Sequence, residues 1–160
     1  MLQIEICKRA DGSGVLRCVR ADGSITWQKQ RKHGVHFALH DLTHYAVETT
    51  LGFQRGFFGL IAAGWDVEDT TGKGPRGALP AEAGAAECIV GLFDAERAAG
   101  NRWAAEEFNQ FAPAGCRLSP EQIAAVRARR SELFEAWAAV QSGSSLKLAF
   151  GEAASSLAGI

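Results

Sequence analysis

No stretch of this chain is both long and apolar enough to cross a bilayer: the longest uncharged, largely apolar run, Gly56 to Trp65, falls far short of the ~20 residues a spanning helix needs. Charge of one sign is also lacking. Lys and Arg number 17 against 18 Asp and Glu, a formal net charge of −1, so there is no electrostatic case for duplex nucleic acid or an acidic membrane surface. The small basic cluster Arg127, Arg129, Arg130 reads as a solvated helix face. Cysteines are few, at 7, 18, 88 and 116, and none stands in CxxC spacing. That removes the zinc-knuckle and thioredoxin-type readings and leaves reduced, packed thiols of a cytoplasmic protein. The first residues alternate, Leu2-Gln3-Ile4-Glu5-Ile6, instead of forming the apolar core of a signal peptide, so none is expected. No serine or cysteine lies in a nucleophile motif. The loop Thr70-Thr71-Gly72-Lys73-Gly74 has Val67 where a phosphate loop needs its first glycine and Gly74 where it needs Ser or Thr, so no nucleotide cofactor is expected.

What is there reads as one globular α+β domain. The chain has 160 residues, 47% hydrophobic and 22% charged, enough for a single core. Residues 9–13 and 20–24 both spell Arg-Ala-Asp-Gly-Ser, a turn signal that punctuates three short alternating segments, about 2–8, 15–20 and 25–30. An N-terminal three-stranded antiparallel meander over about 1–30 follows. A turn centred on Gly12-Ser13 would set Cys7 opposite Cys18 and Glu5 opposite Arg20; one centred on Asp11-Gly12 would shift the pairing by two. Either register puts both thiols on one face.

A mainly helical body spans about 36–141. Its first helix carries Ala38, Leu39, Leu42, Ala46 and Thr49 on a packing stripe, with His36, His40, His44 and Glu48 roughly opposite. Gly52 breaks it, Phe53 to Ala63 continue as a second helix, Pro80 opens a third to about Ala99, and Asn101 starts a short one towards Pro113. Ser119-Pro120-Glu121-Gln122 supplies the cap, first-turn proline and capping-box glutamine of a last long helix. A late strand with Leu146, Leu148 and Phe150, then a mobile tail, fill 145–160.

The chemistry concentrates in His40-Asp41-Leu42-Thr43-His44. Two imidazoles four residues apart on a helix converge on one side and can grip one divalent ion, zinc being the first choice, as in the HExxH motif, where the intervening acid serves as base. Here that acid is Asp41, one methylene shorter. Glu48 lies roughly 9 Å along the axis from the midpoint of His40 and His44, at the limit of its reach, and His36 is as far the other way and leans away. Three arrangements remain: Glu48 as stretched third ligand, Glu48 as hydrogen-bond partner of His44, or two ions along the helix. A chain reversal near Gly52 would bring Asp66 or Asp69 to the histidines, and Glu87 on the third helix is another donor. Lys73 and Arg76 could close over an anionic or polar substrate.

The run Phe37-Ala38-Leu39-His40-Asp41-Leu42-Thr43-His44-Tyr45-Ala46-Val47-Glu48 resembles an uncharacterised bacterial family. Its HDxxH core is similar to the zinc motif of a ubiquinone-biosynthesis family, which would carry metal binding onto His40, Asp41 and His44; that family's later glutamate would fall near Gly56. Leu39-His40-Asp41-Leu42 is also similar to the adjacent His-Asp pair of HD-domain phosphohydrolases, whose separate upstream histidine has no counterpart here. Each of these two resemblances covers about five residues.

The expected function is a divalent-metal-binding protein, read as a metal-dependent hydrolase of a small polar substrate in which Asp41 or Glu48 handles a proton. The alternative is a non-catalytic interaction or homo-oligomerising domain with structural histidines.

Overall fold

The computed structural model describes residues 1–28 and 34–151. Three strands come first: β1 (Leu2–Lys8), β2 (Gly14–Val19) and β3 (Ile25–Trp27). They are followed by α1 (Gly34–Leu51), α2 (Phe57–Ala62), α3 (Ala81–Ala99), α4 (Ala105–Gln110) and α5 (Pro120–Ala139), with short 3-10 turns at Val67–Thr71 and Ala114–Cys116. β4 (Ser145–Phe150) returns to the sheet on the free edge of β1, giving the antiparallel order β3-β2-β1-β4. The late strand therefore adds to the N-terminal meander as expected. The expected end of the third strand, beyond Gln28, and the tail from Ala153 lie outside the described residues. No helix among the described residues is long and apolar enough to cross a membrane.

The repeated Arg-Ala-Asp-Gly-Ser makes the same turn twice. Arg9 and Ser13 close a three-residue loop (N–H to O, 2.9 Å), and the Gly12 N–H returns to the Arg9 carbonyl at 3.0 Å. Arg20, Gly23 and Ser24 repeat it at 2.9 Å for both bonds. Gly12 and Gly23 take φ of 84° and 85°, the left-handed position such loops need and glycine occupies without a Cβ clash. In each, the aspartate accepts from the Ser N–H at 2.9 Å and the Ser hydroxyl at 2.6 Å.

These loops are centred on Asp11 and Asp22, and that corrects the expected pairing. Ile4 faces Cys18, Glu5 faces Arg17 and Cys7 faces Val15. A register displaced by one residue exchanges the two faces. Cys18 is consequently in the core and Cys7 on the other face, so the two thiols do not share a side. Burial pushes the Cys18 thiol up to about 12, as an inert core residue. Glu5 and Arg17 form a cross-strand ion pair at 3.1 Å.

The inner sheet face presents Leu2, Ile4, Ile6, Leu16, Cys18 and Phe150 to the helices. Burying each such leucine or isoleucine contributes about 1.5–3 kcal/mol. α1 runs through the middle, against β2 on one side and α3 and α5 on others. Residues 41–48 are all buried, so the middle of the helix is packed all round and the row opposite its expected packing stripe is also covered there; among the described residues exposure is confined to the ends, at Val35, His36 and Thr49. Tyr45 donates from its hydroxyl to the Ala149 carbonyl at 2.7 Å, pinning α1 to β4.

α1 stops at Gly52, φ 75°. α2 begins later than Phe53 because the Glu82 carboxylate captures the N–H groups of Gln54 and Arg55, the latter at 2.8 Å, and holds 54–55 out of the helix. α4 likewise starts at Ala105 and not Asn101, since the Trp103 N–H is drawn to Glu96 at 3.1 Å. α5 has the cap read from its sequence: the Gln122 N–H donates to Ser119 Oγ (3.1 Å) and the Ser119 N–H to Gln122 Oε1 (2.9 Å), a motif worth about 1 kcal/mol. Arg127 and Arg130 on this helix are not solvated. Both engage Glu96, and Arg130 also donates to the Phe93 carbonyl at 3.2 Å, because a carboxylate buried between α3 and α5 requires partners.

Candidate metal centre

Helical spacing places His36, His40, His44 and Glu48 in one row, and the rings follow one another: centroids are 6.0 Å apart for His36–His40 and 4.8 Å for His40–His44. α3 supplies the opposing row. Glu87 meets His44, Asp94 meets His40 and Arg97 meets His36, so numbers rise along α3 as they fall along α1, and the helices are antiparallel. Glu87 and Asp94 are seven residues apart, two helical turns, which puts both on the face turned to α1.

His44 is 1% exposed and stands between two carboxylates. Its Nδ1 is 3.2 Å from Glu48 Oε2. Its Nε2 is 3.1 Å from Glu87 Oε1 yet is buried without a hydrogen-bond partner, the two atoms being close but not aligned for one. Burial alone would lower this imidazole's pKa, but the Glu48 and Glu87 carboxylates overcome it and hold it up at about 10. The same contact with His44 keeps Glu87 below its usual range.

His40 pairs through Nδ1 with Asp94 Oδ2 at 2.6 Å, leaving Nε2 as its spare nitrogen. Burial works to raise the Asp94 carboxyl, but His40 and the Arg97 charge outweigh it and leave it lowered. His36 is exposed, with Nδ1 3.1 Å from Arg97 Nη2.

Two groups among the described residues have ligand atoms within 4.8 Å of one another: His40, His44 and Glu87, and His36, His40 and Asp94. They share His40. The inner group fits an ion better on three counts. A cation beside His36 would meet the Arg97 guanidinium, and Asp94 already occupies His40 Nδ1. Two ligands at about 2.0–2.1 Å on a tetrahedral ion lie roughly 3.3 Å apart, close to the 3.1 Å between His44 Nε2 and Glu87 Oε1. Finally, each histidine of the inner group has a carboxylate on Nδ1, the arrangement that fixes the tautomer and aims Nε2 at a metal.

Glu48 stands behind the centre. Its carboxylate is 0% exposed; Oε1 accepts the Phe58 and Gly59 N–H groups of α2 at 3.0 and 3.3 Å, while Oε2 meets His44. Of the three arrangements open from spacing, this is the second, an orienting partner of His44. Asp41 is 3% exposed, its carboxylate has no hydrogen bond among the described residues, and it belongs to neither ligand group. Burial pushes its carboxyl up to about 7, against the pull of His44 and His40.

Asp66 does not come to the histidines. It pairs with Arg20 at 2.9 Å and caps the 3-10 turn reciprocally with Asp69, because the chain after α2 runs along β3 and not back over α1. Arg76 in the same loop donates to the Gly64 carbonyl (3.0 Å), lies 3.5 Å from Asp69 and covers the Trp65 ring. Lys73 is exposed there, its N–H on Thr71 Oγ1 at 3.2 Å. Neither cation faces the metal group. Asp94 was not singled out from sequence; its signal was the seven-residue interval from Glu87. A cavity of about 670 Å³ opens on the other side of Glu48, between Tyr45, Thr49, Phe53 and Arg129.

Comparison with known proteins adds no name: no family model matches the chain, and neither a curated protein nor a solved structure matches it significantly.

Proposed function

We propose that this protein binds a divalent metal ion, zinc fitting its donors best, through His40, His44 and Glu87. The observation that carries the reading is His44: a fully buried imidazole whose Nδ1 rests on Glu48 and whose Nε2 has no hydrogen-bond partner 3.1 Å from Glu87. A buried ring nitrogen without a hydrogen bond costs about 1–3 kcal/mol; a divalent ion would take the place of the proton that Glu48 and Glu87 otherwise hold on this imidazole and would bind the lone pair so freed. Two imidazoles and one carboxylate are also a donor set found in catalytic zinc sites, which keep a fourth position open.

We infer hydrolysis of a small polar substrate as the reaction class. A bound divalent ion would supply Lewis-acid activation of water. Glu48 and Asp94 hold the imidazoles in orientation, and α3 fixes Glu87, whose side chain is 47% exposed and marks the side from which substrate reaches the centre. Phe57, with its ring centroid 5.2 Å from that of His44, walls the site with apolar surface.

The test is elemental analysis of untagged protein purified without added metal, followed by titration with zinc, manganese, nickel and iron(II). About one ion per chain is expected, lost in His40→Ala and His44→Ala. A protein that contains none and takes up none sinks the proposal. Metal binding without turnover of any ester, amide or phosphate-ester substrate would leave the metal reading standing and remove the hydrolase.

A further inference from the structure

We propose that the cavity between the C-terminal end of α3 and the middle of α5 is a binding site for a small oxyanion of the phosphate class, held by Arg97, Arg102 and Arg130. The cavity's lining includes none of the proposed metal ligands, although Arg97 also reaches His36 and lies 3.6 Å from Asp94, the carboxylate on His40. The cavity has a volume of about 260 Å³, and its lining includes those three arginines together with Asn101, Ser131 and Glu96. It lies below the ~300–1,000 Å³ of sites for drug-sized ligands, so the volume suits a phosphate or a short phosphate monoester and not a nucleotide.

The charge balance favours an anion. The lining sets three guanidiniums, Arg97, Arg102 and Arg130, against one carboxylate, Glu96; Arg127 and Asp94 touch lining residues from outside it. Glu96 is spent: it accepts Arg127 through Nε (3.1 Å) and Nη2, Arg130 at 3.4 Å and the Trp103 N–H at 3.1 Å, all while 2% exposed. Asp94 is committed to His40 through one oxygen, and its other lies 3.6 Å from Arg97. Donors are left over. Arg97 Nε is buried with no hydrogen-bond partner, although its Nη2 reaches His36. Arg102 is exposed and has no ion pair among the described residues, and the Asn101 and Ser131 side chains make no hydrogen bond there.

Arginine forks match the oxygens of phosphate and carry the charge at any working pH. The competing account is that these arginines exist to satisfy Glu96 and the carbonyls of Phe93 and Trp103. It explains Arg127 and most of Arg130. It leaves Arg97 Nε and Arg102 unexplained, and those two carry the proposal.

The test is calorimetric titration of metal-free, untagged protein with inorganic phosphate and, in a second arm, glycerol phosphate, at ionic strength fixed with sodium chloride. Saturable binding near one anion per chain is expected. Arg102→Gln, at an exposed position that does not threaten folding, should weaken it at least about fivefold, a loss of about 1 kcal/mol, and Arg97→Gln more. His44→Ala should bind phosphate like the unmodified protein while losing metal, which separates this site from the metal reading. Tighter binding of the ester than of free phosphate identifies a monoester ligand, and the reverse identifies phosphate itself. Absence of saturable binding, or equal affinity in Arg102→Gln and Arg97→Gln, overturns the proposal.

Discussion

Replacing Glu48 by glutamine changes few atoms and tests the logic of the metal centre. The carboxylate spends Oε1 on the N–H groups of Phe58 and Gly59 and Oε2 on His44 Nδ1. An amide in the same place can keep its oxygen on α2, but then its NH₂ faces His44 Nδ1. The imidazole must then accept at Nδ1 and carry its proton on Nε2, the nitrogen the metal needs. Flipping the amide aims NH₂ at two backbone donors, so neither orientation satisfies both sides. Loss of an orienting carboxylate typically costs 10–100-fold in metal affinity, or about 1.4–2.7 kcal/mol. The weakened bonds to α2 should cost a further ~1–2 kcal/mol of fold stability. Competitive titration of zinc against a chromophoric chelator, with urea unfolding of the same preparation, reads the two effects separately. A folded Glu48→Gln protein with unaltered zinc affinity would refute the tautomer argument.

Two further outcomes follow from buried carboxylates. A Cβ at Gly56 would stand 2.5 Å from Glu48 Cδ and Oε1; Gly56→Ala should therefore displace that carboxylate, lowering stability by about 2–4 kcal/mol and weakening zinc binding with it. A change under about 1 kcal/mol by urea unfolding would show that Glu48 has room to give. Glu96 is worked upward by burial, but its bonds to Arg127 and the Trp103 N–H and the guanidinium charges prevail and lower its pKa. A lowered folded-state pKa means stability that is present above the unfolded value and lost as pH falls through the folded one. Glu96→Gln should cost about 3–5 kcal/mol near neutrality, with the deficit shrinking in unfolding measurements made below the ordinary carboxylate range; a deficit independent of pH would contradict the ion-pair account.

The parts of this fold written locally were legible. The presence of Asp-Gly turns, the Ser119 cap and the alternation of Leu146, Leu148 and Phe150 each depend on a few neighbouring residues, and the cap and the late strand stand where they were read. The histidine row was legible for the same reason, being fixed by helical pitch. Register was not. Whether the first loop holds two residues or three depends on hydrogen bonds that Asp-Gly permits in either case, and a single residue exchanged the faces of Cys7 and Cys18. The partners of the histidines were harder still. Glu87 could be named as a donor on another helix, but only packing against α1 selects it over Asp66, and nothing near residue 40 indicates Asp94. Arg127 and Arg130 looked solvated because the carboxylate that draws them inward lies more than thirty positions away.

The twin turns at Asp11 and Asp22 bear on how this sheet tolerates changes in length. Each loop has an odd number of residues, so inside and outside are kept in phase from β1 through β3. One codon inserted into or deleted from either loop would turn the next strand over, exposing Leu16 and Cys18 or Thr26 and burying their neighbours. Two codons would leave the phase intact and only lengthen the loop. Descendants of this chain can be expected to vary there by pairs of residues, while longer insertions collect in the irregular 66–79 segment, where no alternating pattern has to be preserved.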